Sequence, residues 1–288
     1  SYRFRTPIWN TRNLAPDAYG HWGSDVIKGV REYLKTGAFQ PDVIVTFAQP
    51  FTDHLIGLEL KKELGLPWLA HFSDPWVDNP FGSSDEEIQS LNLALERSVA
   101  ETADMLAFTS QETVDLFFAK YPKELARKAA VLPQCFDSGR YAEVRPEGKI
   151  TLRYLGNFYG SRTPRPLVQA LKEIEKEGDG ILEDVQFELV GSGHADEVRR
   201  LAEGLPEGLL TVRASVDYAT SLSLMSSADA LIVIDAPGAH SVFLPSKLVD
   251  YIGANRPVFG ITPPGTACKL ILELGGRVAD PADPAAIT

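Results

Sequence analysis

The sequence predicts an α/β protein of two domains in series, each a Rossmann-like, doubly wound parallel sheet. Three observations lead there. From about residue 42, short apolar runs alternate with stretches of helical periodicity. Strands separated by helices of that length need crossover connections and therefore run parallel. The stretch 137–148 breaks the pattern: Ser138, Gly139, Pro146 and Gly148 stand among charges without periodicity, which marks a linker. A second strand-and-helix series then begins. The division is placed as an N-terminal domain 1–140 and a C-terminal domain 141–288.

The elements follow in order. Val43-Ile44-Val45-Thr46-Phe47 reads as a buried strand, followed by Leu55, Ile56, Leu58 and Leu60 running into the polar helix end Lys61-Lys62-Glu63. Residues 68–72 form the next strand. A long helix is expected over 85–103, with acids in its first turn. A strand at 105–108, a helix over 111–120 and a strand near Val131 complete the first series. In the second series, strands are expected at 151–155, 185–190, 209–213, 231–234 and 258–261. Helices are expected near 164–177, 194–203, 218–227 and 247–254. Residues 1–41 carry Tyr2, Phe4, Trp9, Trp22 and Tyr33, with a helix over 24–34. They read either as an ordinary packed excursion or as a surface for a partner or a peripheral membrane contact.

Composition narrows the function classes. The chain has 288 residues, 44% of them hydrophobic, enough to bury two ordinary cores. Its 39 acidic against 28 basic residues give a formal charge of −11, the reverse of a nucleic-acid binder. Cys135 and Cys268 have no paired spacing, so neither zinc nor a disulfide framework is read and a reducing cytoplasm is the simpler setting. No apolar run approaches the roughly 20 residues needed to span a bilayer. The chain opens at Ser1 rather than Met, which leaves a missing native start open.

Two segments carry the chemistry. In 151–166 a strand leads through Gly156-Asn157-Phe158-Tyr159-Gly160 to a helix start, with Thr163 placed at the N-cap and Pro164 as the first helical residue. Arg162 and Arg165 flank that start, where the helix dipole disfavours cations. The conflict is relieved by a phosphate held among the arginines and the free backbone N–H groups, or else both arginines simply face water or surface acids. In 244–258, Ser246 reads as the N-cap and Lys247 as the first helical residue, again a cation at a helix start. Asp250 lies three residues on, suited to accept from sugar or ribose hydroxyls or to pair with Lys247. Asn255 takes the left-handed position that ends this helix. By contrast, the junction Val190-Gly191-Ser192-Gly193-His194 is followed by Asp196 and Glu197, as an unliganded helix start prefers. His194 reads as a surface or capping residue.

With these residues in view, the chain resembles the large retaining glycosyltransferase family of the GT-B fold, which includes bacterial lipopolysaccharide, exopolysaccharide and mannosyl transferases. The resemblance runs over roughly residues 40–288. It rests on 154–171, 187–193, Val216-Asp217-Tyr218, the Ala228-Asp229-Ala230-Leu231 strand entry, 245–258 and 276–284. In the first half it rests on Asp74-Pro75-Trp76, 103–110 and 131–137. It implies two Rossmann-like domains facing a cleft, incomplete at both ends, and transfer of a sugar from a nucleotide-diphosphate donor (UDP-, GDP- or dTDP-sugar) to an acceptor hydroxyl. It further implies retention, no metal and no cofactor, in bacterial cell-surface polysaccharide or glycoconjugate synthesis in the cytoplasm. The acceptor would be a sugar, a lipid-linked or a small molecule.

Carried onto this sequence, Arg162 and Lys247 grip the diphosphate with Ser246 and helix-start N–H groups. Gly156 and Gly191 form the glycine turns, Val216 and Tyr218 lie near the base, and Asp250 lies near ribose or sugar hydroxyls. Asp74 orients the acceptor. The pattern departs where the family's first glutamate is Val242, where Asn157 replaces arginine, and where Ser73-Asp74 replaces a His-Asp or Arg-Asp pair. A non-catalytic nucleotide-sugar binder or assembly subunit, and a sugar-nucleotide epimerase of the same architecture, stay open. A dehydrogenase does not fit, because no G-x-G-x-x-G with a following acid is present.

Overall fold

A computed structural model of the chain describes residues 16–142, 144, 148–178, 180–191 and 195–287. It divides into two compact units between Pro133 and Gln134. The aromatic readings at Tyr2, Phe4 and Trp9, and those at Ser192, Gly193 and His194, lie outside the described residues.

The first unit opens with α1 (Gly20–Lys35) and continues β1 (Ile44–Ala48), α2 (Thr52–Leu64), β2 (Trp68–Phe72), α3 (Glu86–Thr102), β3 (Met105–Phe108), α4 (Gln111–Phe118) and β4 (Ala129–Val131). The four strands are parallel in the order β1-β2-β3-β4, so the described strands wind one way. Caps explain the helix starts: Asp85 accepts from the Glu87 and Ile88 N–H groups, and Ser110 accepts from Thr113. Alternation decides the core. Ile44, Ala48, Trp68, Ala70, Phe72, Leu106 and Phe108 join Leu55, Val99 and Phe117 of the helices in one cluster. Val45, Phe47 and Met105, between them on the strands, stay exposed. α2 approaches the sheet closely at Gly57, where a Cβ would stand 2.7 Å from Thr46 and Trp68 atoms.

The second unit holds β5 (Ile150–Leu155), α5 (Arg165–Glu177), β6 (Val185–Val190), α6 (Ala195–Leu201), β7 (Leu210–Arg213), α7 (Tyr218–Ser226), β8 (Ala230–Ile234), α8 (Ser246–Gly253), β9 (Val258–Ile261), α9 (Thr266–Glu273) and β10 (Arg277–Ala279). Its six strands run in the order β10-β9-β8-β5-β6-β7, all parallel. This is double winding, and the order reverses between β5 and β8. At such a switch point the loops leaving adjacent strands diverge to opposite faces and open a crevice at the carboxyl ends. Both faces are covered, as a parallel sheet requires. Leu155, Val190, Leu231 and Val233 sit in one core, while Tyr154, Leu189, Ile232 and Ile234 sit in the other.

The unit boundary precedes the segment 137–148 that reads as a linker. The reason is Tyr141, whose ring packs on the second core and occupies the space a Cβ on Gly253 would need. Helix α9 carries no strong start signal in the sequence. Asn255 has φ 50°, the left-handed turn expected at the end of α8.

Candidate functional site

β5 ends at the switch point, and the ends of β5 and its neighbour β6 are fixed by three hydrogen bonds. The Leu155 N–H donates to the Tyr251 hydroxyl at 2.9 Å, the Gly156 N–H donates to the Val190 carbonyl at 2.8 Å, and Gly191 N–H donates to the Arg213 carbonyl at 3.1 Å. Gly156 has φ 139°, a conformation that disfavours any side chain. A Cβ on Gly191 would collide with the Gly156 carbonyl, so the two expected glycine turns are packed backbone against backbone. This gives Gly191 a steric reason for being glycine.

α8 places the first cation. Tyr251 is wholly buried beneath β5, and Lys247, one turn earlier on the same helical face, is thereby aimed at the strand end. Its Nζ lies 3.9 Å from the Tyr154 ring centroid and fills the space above Gly156. Among the described residues no hydrogen bond or ion pair meets this ammonium. Burial, then neighbouring Arg162, push its pKa down to about 7, with Asp235 opposing. The helix start differs by one residue from expectation: Pro245 holds the cap position, Ser246 is the first helical residue, and no side chain caps it. A proline has no side-chain acceptor to cap the helix, and Ser246 opens it with its side chain exposed.

Arg162 reaches the same place from the loop after Gly156. Its Nη2 donates to Asp235 Oδ1 at 2.7 Å and its Nη1 to the Tyr159 hydroxyl at 2.8 Å, with the guanidinium 4.7 Å from the Tyr159 ring centroid. Among the described residues, its buried Nε meets no hydrogen-bond partner. The helix start shifts here too. Pro164 takes the cap position and Arg165 opens α5, because Thr163 Oγ1 reaches only the Arg165 N–H, at 3.4 Å. Arg165 pairs with Glu197 at the surface and does not join the group.

Asp250 does not pair with Lys247, the alternative that the sequence left open. Asp250 Oδ1 accepts from the Tyr141 hydroxyl at 2.8 Å and the Tyr218 hydroxyl at 2.9 Å. Burial raises the Tyr141 phenol pKa, while the bond to Asp250 is the main cause for Tyr218. The Arg140 guanidinium lies 5.3 Å from the Tyr218 ring centroid. Tyr218 begins α7 half exposed, whereas Val216 packs against the core. Val242 is half-buried on the loop between β8 and α8.

In the first unit, Asp74 follows β2 and its Oδ2 accepts from Gln49 Nε2 at 3.4 Å. His71 is buried within β2 and bonds the Leu132 carbonyl through Nε2 at 2.9 Å. Behind the sheet His54 is fully buried, its Nδ1 2.8 Å from Thr46 Oγ1, and burial pushes its pKa down to about 3.

Sequence reasoning therefore brings together Gly156, Arg162 and Lys247, but misses Asp235, Tyr154 and Tyr141. For Asp235 a signal existed: an acid directly after the apolar run Leu231-Ile232-Val233-Ile234, at a strand's carboxyl end. Among the described residues, no group of three or more His, Cys, Asp or Glu side chains is arranged to hold a metal ion, and no helix is long and apolar enough to cross a membrane.

No family model matches the chain, and no curated protein matches it. Solved structures do. The lipopolysaccharide outer core galactosyltransferase WaaB in its apo form superposes with a TM-score of 0.61 at 14% identity, covering 92% of this chain and 68% of that one. A UDP-forming α,α-trehalose-phosphate synthase from Burkholderia xenovorans gives 0.63 at 12% identity, over 98% and 72%. WaaG, a glycosyltransferase involved in lipopolysaccharide biosynthesis, gives 0.56 at 17% identity, over 77% and 66%. At these identities the likeness is one of fold, and the fold is that of GT-B glycosyltransferases.

Proposed function

We propose that the chain is a glycosyltransferase that takes a sugar from a nucleotide-diphosphate donor and passes it to an acceptor hydroxyl, with the donor diphosphate held in the second unit. The observation that carries the reading is the Lys247 ammonium: half-buried at the switch point, over the Tyr154 ring, and met by no hydrogen bond or ion pair among the described residues. Together with Arg162 it sets two cations against the one carboxylate of Asp235. A diphosphate supplies the missing negative charge.

Breaking the sugar–phosphate bond builds negative charge on the leaving phosphate and oxocarbenium character on the sugar. Preorganised cations stabilise the first without a metal. In this reading Lys247, with Ser246 and the free N–H groups opening α8, meets the diphosphate, and Arg162 supports it through the donors not engaged by Asp235 and Tyr159. Gly156 gives the phosphate backbone access, with Gly191 packed beneath it. Asp250 accepts from ribose or sugar hydroxyls in exchange for a tyrosine hydroxyl, and Tyr218 with Val216 borders the base. Asp74, at the end of β2 in the first unit, orients the acceptor. Transfer proceeds with retention, the donor phosphate taking the acceptor proton, as in the family that the sequence resembles. The setting is bacterial surface-polysaccharide or glycoconjugate synthesis in the cytoplasm; WaaB and WaaG, by their names, belong to lipopolysaccharide assembly.

The test is calorimetric titration with UDP, GDP and dTDP. Binding to the wild type with loss in Lys247→Ala supports the reading, and unchanged affinity in that variant overturns it. Val242, in place of an acid, favours a second reading, a donor binder without turnover. Donor binding by the full protein, with no sugar transferred or released from the donor under any acceptor, would establish that one instead.

A further inference from the structure

The carboxylate of Asp235 is an oddity in a site read as anionic-ligand-binding, and every contact it makes is specific. Oδ1 accepts from Arg162 Nη2 at 2.7 Å and from the Ala236 N–H at 2.8 Å; Oδ2 accepts from Ser241 Oγ at 3.1 Å. The residue is 3% exposed. Two loops build its seat. The Asp235 N–H donates to the Ile261 carbonyl at 2.9 Å, tying the end of β8 to that of β9. Ser241 is tied to the loop after β9, donating its N–H to Pro264 at 2.8 Å and accepting from the Thr266 N–H at 2.9 Å. A Cβ on Gly265 would collide with the Ser241 carbonyl, so the two loops pack backbone against backbone here.

We propose that Asp235 is a positioning residue of the diphosphate site, fixing the Arg162 guanidinium at the switch point and serving as resident counter-ion of Arg162 and Lys247 until an anionic ligand arrives. This rests on the reading of the site given above. A guanidinium and an ammonium that both reach the carboxyl end of β5 repel each other and lose hydration on burial; one carboxylate at the end of the neighbouring strand β8 offsets both costs. It also restricts the fork of Arg162, which has five donors, so that the groups left over face a defined direction. The charged and titratable groups around Lys247 are Tyr154 from β5, Arg162 from the loop after it, Asp235 after β8, and Tyr251 and Asp250 on its own helix. Asp250 is turned to Tyr141 and Tyr218. Asp235 is the carboxylate whose charge acts on Lys247.

The alternative is a buried ion pair that only holds two loops together. Asp235→Asn separates the two, since it keeps the shape and removes the charge. In the ligand-free protein, the pH dependence of Lys247 acylation, followed by mass spectrometry, reports its titration directly. The expected result is a midpoint at lower pH in Asp235→Asn than in the wild type, and a pyrophosphate affinity, by calorimetry, weaker by about tenfold or more at neutral pH. A purely structural role would leave the Lys247 midpoint where the wild type has it, and that outcome overturns the proposal. Where Asp235→Asn does not fold, Asp235→Glu keeps the charge and moves it by one methylene. Wild-type pyrophosphate affinity in that variant also overturns the proposal, and a loss of about tenfold supports it. Failure of the wild type to bind pyrophosphate or any nucleoside diphosphate sinks the reading of the site instead, while the ligand-free titration still decides whether Asp235 and Lys247 are coupled.

Discussion

Lys247 and Tyr251 stand one turn apart on α8 and together clasp the end of β5: the Tyr251 hydroxyl accepts the Leu155 N–H at 2.9 Å, and the Lys247 ammonium lies 3.9 Å from the Tyr154 ring centroid. The aim of the cation thus depends on a hydrogen bond made by its neighbour. Tyr251→Phe leaves a buried N–H without a partner, and a loss of about 1–3 kcal/mol in stability is expected. Urea unfolding followed by circular dichroism measures it; a variant as stable as the wild type would show that the bond contributes nothing.

Removing the ammonium separates binding from folding. Lys247→Ala is expected to weaken UDP or GDP binding by about ten- to a hundredfold, the worth of one charge-assisted contact. It should not destabilise the fold, because a partly desolvated cation is removed. Calorimetry and urea unfolding on the same preparation read both effects, and a large fall in stability would contradict the account of Lys247.

The same lysine sets a pH dependence. Its folded-state pKa, about 7, lies below the ordinary 10.5. Between those values the unfolded chain holds a proton that the folded chain lacks, so this group makes stability rise with pH across that window. Diphosphate binding behaves oppositely. The ligand needs the ammonium, so affinity falls as pH rises above about 7, and binding takes up a proton there. Titrations above neutrality in buffers of different ionisation enthalpy reveal that uptake; heats independent of the buffer would count against it.

Gly156 and Gly191 cannot carry even a methyl group without displacement of the site. Gly156→Ala forces a side chain into φ 139° and against Lys247, while Gly191→Ala drives one into the Gly156 carbonyl. Each is expected to cost about 1–3 kcal/mol or more. The two should differ in ligand binding: Gly156→Ala moves Lys247 directly and loses diphosphate affinity even where it remains folded. Thermal unfolding with and without nucleoside diphosphate distinguishes them.

In the first unit His54 makes the fold acid-sensitive. With its pKa lowered from 6.5 to about 3, the unfolded chain takes up a proton that the folded chain refuses as pH falls through this range. Stability contributed by the neutral imidazole is therefore present above pH 6.5 and lost toward pH 3, with a slope of up to about 1.4 kcal/mol per pH unit. His54→Phe, packed against Phe51, Phe72 and Trp76, should flatten the slope. An unchanged slope in urea unfolding at graded pH would assign it to other groups.

Most elements were legible because their signals are local. The strands at 185–190 and 258–261 match their expected bounds residue for residue: the first alternates Val185, Phe187 and Leu189 with Gln186 and Glu188, and the second is the apolar run Val258-Phe259-Gly260-Ile261. α3 was expected over 85–103 with acids in its first turn, and Glu86 and Glu87 stand there. Thr163 and Ser246 misled by one position, because a proline beside each took over the cap geometry. α9 went unread because its cap position is glycine, with no side chain to signal a start.

The sequence by itself determined the α/β class, the two series of strands, and the placing of cations at Arg162 and Lys247 where a helix start or a glycine turn gives them no local reason to be. Tertiary structure alone decided their partners. Asp235 is 73 residues from Arg162 along the chain and meets it only because β8 inserts beside β5; Tyr141 reaches Asp250 across 109 residues, and so belongs to the second unit and not to a linker. Periodicity and capping act over one or two turns of chain, whereas the order of strands in a sheet is a long-range outcome of packing, and that order fixes which charges become neighbours.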